Sequence, residues 1–209
     1  MLYLTYSTSD GKTEKYPLIT GTDKIELAGR SIMAVDLSPL GEFPYLEELD
    51  LSKNNLMAID LTPLTFCPKL RKVKLSVNKL RTLDLDPLGF CTKLEELELD
   101  NNRLIRLDLE PIGHCSELRL LRAQRNELVR LDLESLSGCI QLEVLDVSDN
   151  NLKKLDVGPL FSCSSLQELL FSSDTDLVSH SVTKVSPSNP EVLNELIRKM
   201  RIRFLVDDN

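Results

Sequence analysis

Leucines in this chain recur with a fixed period of 24 residues. From residue 22 onward the chain divides, without insertion or deletion, into six equal units. The units are 22–45, 46–69, 70–93, 94–117, 118–141 and 142–165, and a partial seventh covers 166–171. The second unit, LEELDLSKNNLMAIDLTPLTFCPK, is representative. An equal period in every unit predicts that each unit forms one coil of a solenoid, stacked on the next coil.

Each unit contains an alternating L-x-L segment that is followed, in five units, by an asparagine. Alternation of apolar and polar residues predicts a short strand with one buried face. The asparagine indicates a turn, where its side chain can hydrogen-bond the turn backbone of neighbouring coils inside the solenoid. The asparagines are Asn54, Asn78, Asn102, Asn126 and Asn150.

A polar residue precedes proline in the second half of four units: Ser38-Pro39, Thr62-Pro63, Asp86-Pro87 and Glu110-Pro111. This pair is typical of an N-cap followed by the first helical position, so we expect one helical or 3-10 turn there. Unit five has Glu134-Ser135 instead and lacks this signal. Each unit is therefore predicted to be one parallel strand, a turn, one convex helical turn and a return.

The motif L-x-x-L-x-L-x-x-N-x-L, written five times in register, resembles the leucine-rich-repeat superfamily over about residues 22–171. The return D-L-x-P-L-x-x-C is similar to that of the short-repeat, largely intracellular members. The resemblance implies an α/β fold: a right-handed, horseshoe-shaped solenoid with a concave parallel β-sheet and short 3-10 or helical turns on its convex side. It also implies an interaction module, since relatives serve as phosphatase regulatory subunits, small-GTPase regulators and adaptors.

Both ends of a solenoid expose its apolar core, and each needs a lid. Residues 1–21 place alternating apolar side chains on either side of an Asp10-Gly11 turn, which predicts a capping hairpin. Residues 172–188 are rich in serine, threonine and aspartate and are interpreted as a loop.

Residues 189–209 are expected to form the second lid. Asn189-Pro190 predicts the start of a helix, and residues 202–206 are a candidate terminal strand. The apolar residues at helical spacing are Val192, Leu193, Leu196, Ile197 and Met200.

The cysteines all occupy one repeat position, which Phe43 takes in the first unit. An apolar position of this kind predicts a buried column of free thiols. A zinc site would need cysteines about two residues apart, so we expect neither a metal nor a cofactor. The odd number of cysteines, five, excludes a complete disulfide framework and favours a reducing compartment. The cysteines are Cys67, Cys91, Cys115, Cys139 and Cys163.

An aspartate recurs at one position in all six units. Stacked carboxylates about 5 Å apart repel one another, so a compensating interaction is required. Two interpretations stay open: each aspartate accepts backbone N–H groups of the following turn, or the column binds calcium, although the usual glycine-rich loops are missing. The aspartates are Asp36, Asp60, Asp84, Asp108, Asp132 and Asp156.

The two histidines, His114 and His180, are too few and too poorly placed for a triad or a metal cluster, so no catalytic residue is predicted. His114 occupies the position that holds Phe66 and Phe90 in other units. We therefore expect a partly packed imidazole ring.

The variable positions beside the buried leucines are predicted to face the concave surface, where equivalent positions on successive strands are neighbours. Their charges alternate in sign from coil to coil. Opposite-charge pairs of this kind contribute about 0.2–1 kcal/mol each and would hold the strands in register. The rows are Glu47, Arg71, Glu95, Arg119, Glu143, then Asp50, Lys74, Glu98, Arg122, Asp146, and finally Lys24, Glu48, Lys72, Glu96.

The third row loses its alternation after Glu96 and continues with Leu120 and Val144, while Leu170 stands where the second row would carry a charge. An apolar strip beside arginines is a feature that protein interfaces favour. Packing beneath the C-terminal loop is the alternative. The candidate partner-binding residues are Leu120, Arg122, Arg125, Val144 and Leu170, with a second group at Lys72, Lys74, Val77 and Lys79.

The formal net charge of -8 argues against nucleic acid or an anionic membrane as partner, because both would be repelled at long range. No stretch approaches about 18 uninterrupted apolar residues, and the first residues lack the pattern of a signal peptide. We therefore expect a cytoplasmic, monomeric, non-catalytic protein that binds another protein. Structural self-association, or regulation of a phosphatase or small GTPase, are the alternatives.

Overall fold

A computed structural model of the chain describes residues 2–180 and 186–205. Its strands are β1 (Leu2–Thr8), β2 (Thr13–Leu18), β3 (Lys24–Glu26), β4 (Ile32–Asp36), β5 (Glu48–Asp50), β6 (Lys72–Lys74), β7 (Glu96–Glu98), β8 (Leu120–Arg122), β9 (Val144–Asp146), β10 (Lys154–Asp156), β11 (Glu168–Leu170), β12 (Asp176–Ser179) and β13 (Ile202–Phe204). The 3-10 helices are Ser38–Glu42, Thr62–Phe66, Asp86–Phe90, Glu110–His114, Glu134–Gly138 and Gly158–Ser162. The α-helix α1 covers Glu191–Arg198.

A parallel sheet of seven strands, in the order β3-β5-β6-β7-β8-β9-β11, takes one strand from each coil. Paired residues are one repeat apart at each step, as Leu49 is from Val73 and Val73 is from Leu97. A 3-10 helix follows in every full unit, including unit five, where no proline starts it. The solenoid predicted from the repeat is confirmed.

Columns of apolar side chains run through the coils and form the core. The first leucine of each full repeat from the second unit onward is completely buried, and the sheet leucines beside it are buried as well. Full burial of one such side chain stabilises the fold by about 1.5–3 kcal/mol. The column consists of Leu46, Leu70, Leu94, Leu118 and Leu142.

The 3-10 helices are capped by a different residue from the one expected. Thr62 is already the first helical residue, and Leu61 occupies the N-cap without a side-chain hydrogen bond. The acceptor is Asp60, whose Oδ1 lies 2.8 Å from the backbone nitrogen of Thr62. The N-cap assignment of Ser38, Thr62, Asp86 and Glu110 was therefore wrong. The reason is that the N-cap leucine faces the core, which leaves capping to the aspartate before it.

The N-terminal lid is the predicted hairpin. β1 and β2 pair antiparallel, and Gly11 adopts a φ of 82° in the turn between them. β1 also pairs antiparallel with β4 of the first coil, and this contact buries Leu4 and Tyr6. The hairpin therefore extends the side of the coil that lies away from the seven-stranded sheet. Residue 1 lies outside the described residues.

The C-terminal lid contains a strand that the sequence did not indicate. β12 lies within residues 172–188, which were expected to be a loop, and it pairs in parallel with β10 and β13. The apolar residues of this strand, Leu177 and Val178, are buried against the last coil, which offers β10 as an open edge. A polar composition therefore misled the prediction. Residues 181–185 lie outside the described part of this stretch.

Helix α1 begins close to the predicted position, and its apolar residues Val192, Leu193, Leu196 and Ile197 pack against the core. Met200 was expected on the same face but is 92% exposed. The helix ends at Arg198, and Met200 adopts a φ of 52° beyond it, which turns the residue away from the core. β13 falls within the predicted strand 202–206, whose last residue, with 207–209, lies outside the described residues.

Candidate protein-binding face

Rows of charged side chains cross the concave sheet and form ion pairs as predicted. Lys72 Nζ lies 2.6 Å from Glu96 Oε1 on the next strand. Lys74 instead pairs diagonally with Glu48, at 2.7 Å, and this hydrogen bond raises the pKa of Lys74 and lowers that of Glu48. Further pairs between coils are Lys24–Glu48, Arg71–Glu95, Arg119–Glu143 and Arg122–Glu98.

The apolar strip lies on the C-terminal half of this sheet. Leu120 and Val144 are paired neighbours on β8 and β9, and both are half-buried. Leu170, on the last strand, stands beside Asp146 and is 44% exposed. The C-terminal lid joins the coil at β10, on another side, so Leu170 stays accessible with the lid in place.

A groove of about 320 Å³ joins the two groups of candidate residues. Lys74, Val77 and Arg122 all line it, although they come from different coils. Arg122 lies on the same strand as Leu120, two residues further along, so the apolar strip continues to the rim of the groove. The remaining lining residues are Ser52, Lys53, Ser76, Glu98, Asp100 and Gln124.

Two residues of the groove have unusual environments. Burial raises the pKa of Glu98, although the nearby positive charge of Arg122, at 3.6 Å, acts against this. The amide oxygen Oε1 of Gln124 is buried and accepts no hydrogen bond in the described part of the chain. Sequence reasoning placed Glu98 in a charge row and missed Gln124, because a polar residue after a strand gives no signal of its own burial.

The turn that borders the groove holds residues in the left-handed backbone conformation. Val77 has a φ of 56° and Arg125 a φ of 53°, at the same repeat position. A β-branched residue is rarely found there, because its Cβ crowds the backbone. Hydrogen bonds to the next coil hold the turn, as Val77 N–H donates to the carbonyl of Asp100 at 2.9 Å. Val77 is therefore a strained residue on the rim of the groove.

The other candidate residues lie at the periphery. Lys72 belongs to the third row and is engaged with Glu96. Arg125 lies in the turn beyond the sheet and forms an exposed ion pair with Asp149 at 3.4 Å. Lys79 follows the turn that holds Val77 and is exposed, away from the groove. The structure therefore brings together Leu120, Arg122, Val144, Lys74 and Val77, leaves these three outside, and places Leu170 at the end of the strip on β11.

An asparagine column ties the turns of successive coils together. Asn78 Nδ2 donates to the carbonyls of Leu51 and Leu75, both at 3.0 Å, and its Oδ1 accepts the N–H of Leu56 at 3.0 Å. The same pattern recurs at Asn54, Asn102, Asn126 and Asn150. Each amide thus bonds the backbone of its own coil and of the preceding one.

Family models described as leucine rich repeat match residues 44–104 and 141–164. They cover coils whose strands, asparagines and 3-10 turns recur in register. The chain belongs to the leucine-rich-repeat superfamily. A search of curated proteins found no match.

Solved structures of other leucine-rich-repeat proteins are similar. Internalin C2 of Listeria monocytogenes is 26% identical, with a TM-score of 0.60 over 78% of this chain and 65% of that protein. A plant peptide hormone receptor, RGFR1, in complex with RGF2, is 30% identical, with a TM-score of 0.60 over 68% of this chain and 22% of the receptor. A leucine-rich-repeat protein of Leptospira interrogans shares the fold, with 18% identity, a TM-score of 0.61, and coverage of 87% and 54%. The chain spans less than two thirds of each relative.

The cysteines form a second column of this leucine-rich-repeat core. All five are buried and free. Each thiol donates to a backbone carbonyl of the preceding coil, as Cys91 Sγ does to Leu64 at 3.4 Å. Burial raises the pKa of Cys67 to about 11 and that of Cys91 to about 12. Thiols in this state are poor nucleophiles, since the thiolate is the reactive form.

Hydrogen bonds favour the first interpretation of the aspartate column. In every unit one carboxylate oxygen accepts the backbone N–H two residues further on, at 2.8–2.9 Å. Hydrogen bonds from Ser38 and Thr62 lower the pKa of Asp36 and Asp60. Among residues 2–180 and 186–205, no three His, Cys, Asp or Glu side chains come together as a metal ion would require.

The histidines lie apart. His180 Nδ1 contacts Asp156 Oδ2 at 2.5 Å at the end of the aspartate column. His114 is exposed rather than partly packed, and so are Phe66 and Phe90. The position before the buried cysteine points outward, so the phenylalanines found there in other units did not indicate that His114 is packed. None of the described helices is long and apolar enough to cross a membrane.

Proposed function

We propose that this chain binds a partner protein on its concave sheet and catalyses no reaction. Leucine-rich repeats commonly present a rigid curved surface for protein binding, which lowers the ordering cost of association. One similar structure is a receptor in complex with its ligand. The proposal includes a monomeric state. It also includes a cytoplasmic setting, because the chain carries five unpaired thiols.

The break in the charged rows is the observation that carries the proposal. Other coils place ion pairs where Leu120 and Val144 stand, whereas these two side chains are neighbours that stay only half-buried in the free protein. Interfaces combine such apolar anchors with arginine, and Arg122 lies on the same strand. The strip and the groove therefore form one continuous candidate surface.

The groove adds a chemical requirement for the partner. Gln124 Oε1 receives no hydrogen bond from residues 2–180 and 186–205, and an unsatisfied buried acceptor costs about 1–3 kcal/mol. A backbone N–H or an amide group of the partner would recover this energy. The strain at Val77 is consistent with a functional position, because strained residues cluster at binding sites.

Affinity capture with the purified chain tests the surface. The variant Leu120→Asp/Val144→Asp places two charges in the strip, and we expect it to lose proteins that the wild type retains. A matched control, Phe66→Asp/Phe90→Asp, makes the same change at two exposed positions on the 3-10 turns. Equal recovery by all three proteins, each folded by circular dichroism, would refute the site.

Mass measurement in solution separates partner binding from self-association. We expect a monomer for the wild type. A dimer that dissociates in the Leu120→Asp/Val144→Asp variant would instead assign the strip to contacts between copies of the chain.

A further inference from the structure

A second surface of the solenoid carries basic side chains that form no ion pair with any described residue. It is formed by the segment between the asparagine turn and the 3-10 helix in units three to six, and we call it the lateral band. Its unpaired cations are Lys79, Arg81, Arg103, Arg106, Arg130 and Lys154, and all are exposed. Glu127 is the acidic residue among them, and the aspartates Asp84, Asp108, Asp132 and Asp156 lie near the end of the same segments.

Backbone hydrogen bonds between coils place the residues of the band beside one another. Arg103 N–H donates to the carbonyl of Leu80 at 2.9 Å. Ile105 N–H donates to Arg81, and Val129 N–H donates to Ile105, each at 3.4 Å. Equivalent positions on successive coils are therefore neighbours at about 5 Å.

The charge pattern of the band is opposite to that of the concave sheet. On the sheet, charges alternate from coil to coil, and the cations have acidic neighbours. In the band, Arg106, Arg130 and Lys154 repeat one sign on three consecutive coils, and the strand neighbour beyond Lys154 is Asp176 of β12. Among the described residues, no carboxylate oxygen lies within 4.0 Å of the six cations.

The aspartate column runs beside the band but does not neutralise it by direct pairing. Asp84, Asp108 and Asp132 each turn one oxygen to the N–H groups that begin the 3-10 helices, at 2.9 Å. Their charges limit how closely a continuous polyanion could follow the band. A helix with carboxylates along one face is also repelled by these aspartates, but it can turn that face towards Arg106 and Arg130.

Apolar side chains lie between the cations. Ile105 is 43% and Val129 48% exposed, and they stack on adjacent coils next to Arg106 and Arg130. The band thus presents two stacked apolar side chains beside the basic column, with Arg81 and Lys153 at the equivalent positions of the coils on either side.

We propose that the lateral band binds an acidic amphipathic helix of a partner protein. Residues three or four apart on a helix have Cβ atoms about 5–6 Å apart, which matches the coil spacing of about 5 Å. A row of carboxylates on the helix would meet Arg106, Arg130 and Lys154, and the adjacent apolar row would cover Ile105 and Val129. Nucleic acid fits less well, because the band offers no aromatic side chain for base stacking.

The surface is distinct from the concave strip, so a synthetic probe tests it independently of the proposed function. The probe is a labelled helical peptide with glutamate at every third or fourth position and leucine on the adjacent face. We expect saturable binding that weakens with added salt, because exposed charges are screened. A peptide with lysine in place of glutamate should not bind.

Two variants and a control locate the contact. Arg106→Glu/Arg130→Glu should weaken binding about tenfold or more, because it places like charges against the peptide. Ile105→Ser/Val129→Ser should weaken it while leaving the salt dependence in place. The control Lys15→Glu/Lys69→Glu makes the same change in net charge at exposed positions elsewhere, and its affinity should stay within about twofold of wild type.

Several results would overturn this inference. Equal weakening by the charge reversal and by its control would show that the peptide senses net charge alone. Loss of binding in Leu120→Asp/Val144→Asp but not in the band variants would place the peptide on the concave sheet. Tighter binding of a single-stranded RNA or of phosphatidylserine vesicles through Arg106 and Arg130 would assign another class of partner. Should the reversal unfold the chain, Arg106→Gln/Arg130→Gln replaces it, with the same expected direction.

Discussion

Replacement of Asn102 with alanine removes three hydrogen bonds of 3.0 Å or less from the interior of the solenoid, and a longer one of 3.4 Å to the carbonyl of Asp100. Nδ2 of Asn102 donates to the carbonyls of Leu75 and Leu99, at 2.9 and 3.0 Å. Oδ1 accepts the N–H of Leu80 at 3.0 Å. The side chain is buried, so water does not replace these bonds freely.

The expected loss follows from which groups keep a partner. Leu75 and Leu99 each retain one asparagine donor, from Asn78 and Asn126, so each lost bond costs about 0.5–1.5 kcal/mol. The N–H of Leu80 loses its acceptor, which costs about 1–3 kcal/mol. We therefore expect the free energy of unfolding to fall by about 2–6 kcal/mol, a large share of the roughly 5–15 kcal/mol of a typical domain.

Urea unfolding followed by circular dichroism measures this loss, and hydrogen exchange at the Leu80 amide measures it locally. The matched control is Asn151→Ala, because Asn151 is exposed and its side chain makes no hydrogen bond in the described part of the chain. A loss no larger than that of the control, together with a Leu80 amide that stays protected, would refute the role of the asparagine column.

Four further predictions concern single features. The native thiols should not react with a disulfide reagent until urea is added, because burial raises the pKa of Cys91 to about 12; rapid labelling of two thiols without urea would contradict the stacked core. The thiol pKa values of about 11–12 lie above the ordinary 9.0, so the unfolded chain loses its thiol protons at a lower pH than the folded chain. The free energy of unfolding should therefore fall as pH rises from about 9 towards 11, by up to about 1.4 kcal/mol per pH unit for each thiol. A urea midpoint that stays constant over this range would argue against it. Asp108→Ala removes the acceptor of the Glu110 N–H and should cost about 1 kcal/mol in urea unfolding, whereas Asp108→Asn, which keeps an acceptor, should cost less. Val77→Asn should raise the unfolding temperature, since asparagine tolerates the left-handed conformation at a saving of about 1 kcal/mol; an unchanged temperature would mean that Val77 is unstrained.

Much of the candidate site was accessible from sequence because it repeats. The concave rows could be read from residues such as Lys72 and Glu96, which pair as their spacing predicts. The diagonal bond from Lys74 to Glu48 could not, because the choice between neighbours depends on side-chain reach. The buried oxygen of Gln124 was equally hidden, since residues of four coils line the groove in which it lies.

The lack of ion pairs among the described cations of the lateral band also could not be predicted from the sequence pattern. Arg106 and Arg130 have aspartates close by in sequence, and a linear reading would pair them. In the structure Asp108 and Asp132 each direct an oxygen to the following helix turn instead.

By itself the sequence determined the coils, their register and the identity of each interior column. This was possible because, in a solenoid, a residue's neighbours lie one repeat away, so periodicity along the chain directly becomes contact in space. Tertiary structure alone decided how the ends are closed, as at β12, and which polar groups find no partner among the described residues, as at Gln124 and Arg130. Those outcomes depend on competition among several neighbours for the same atoms, which no single spacing along the chain encodes.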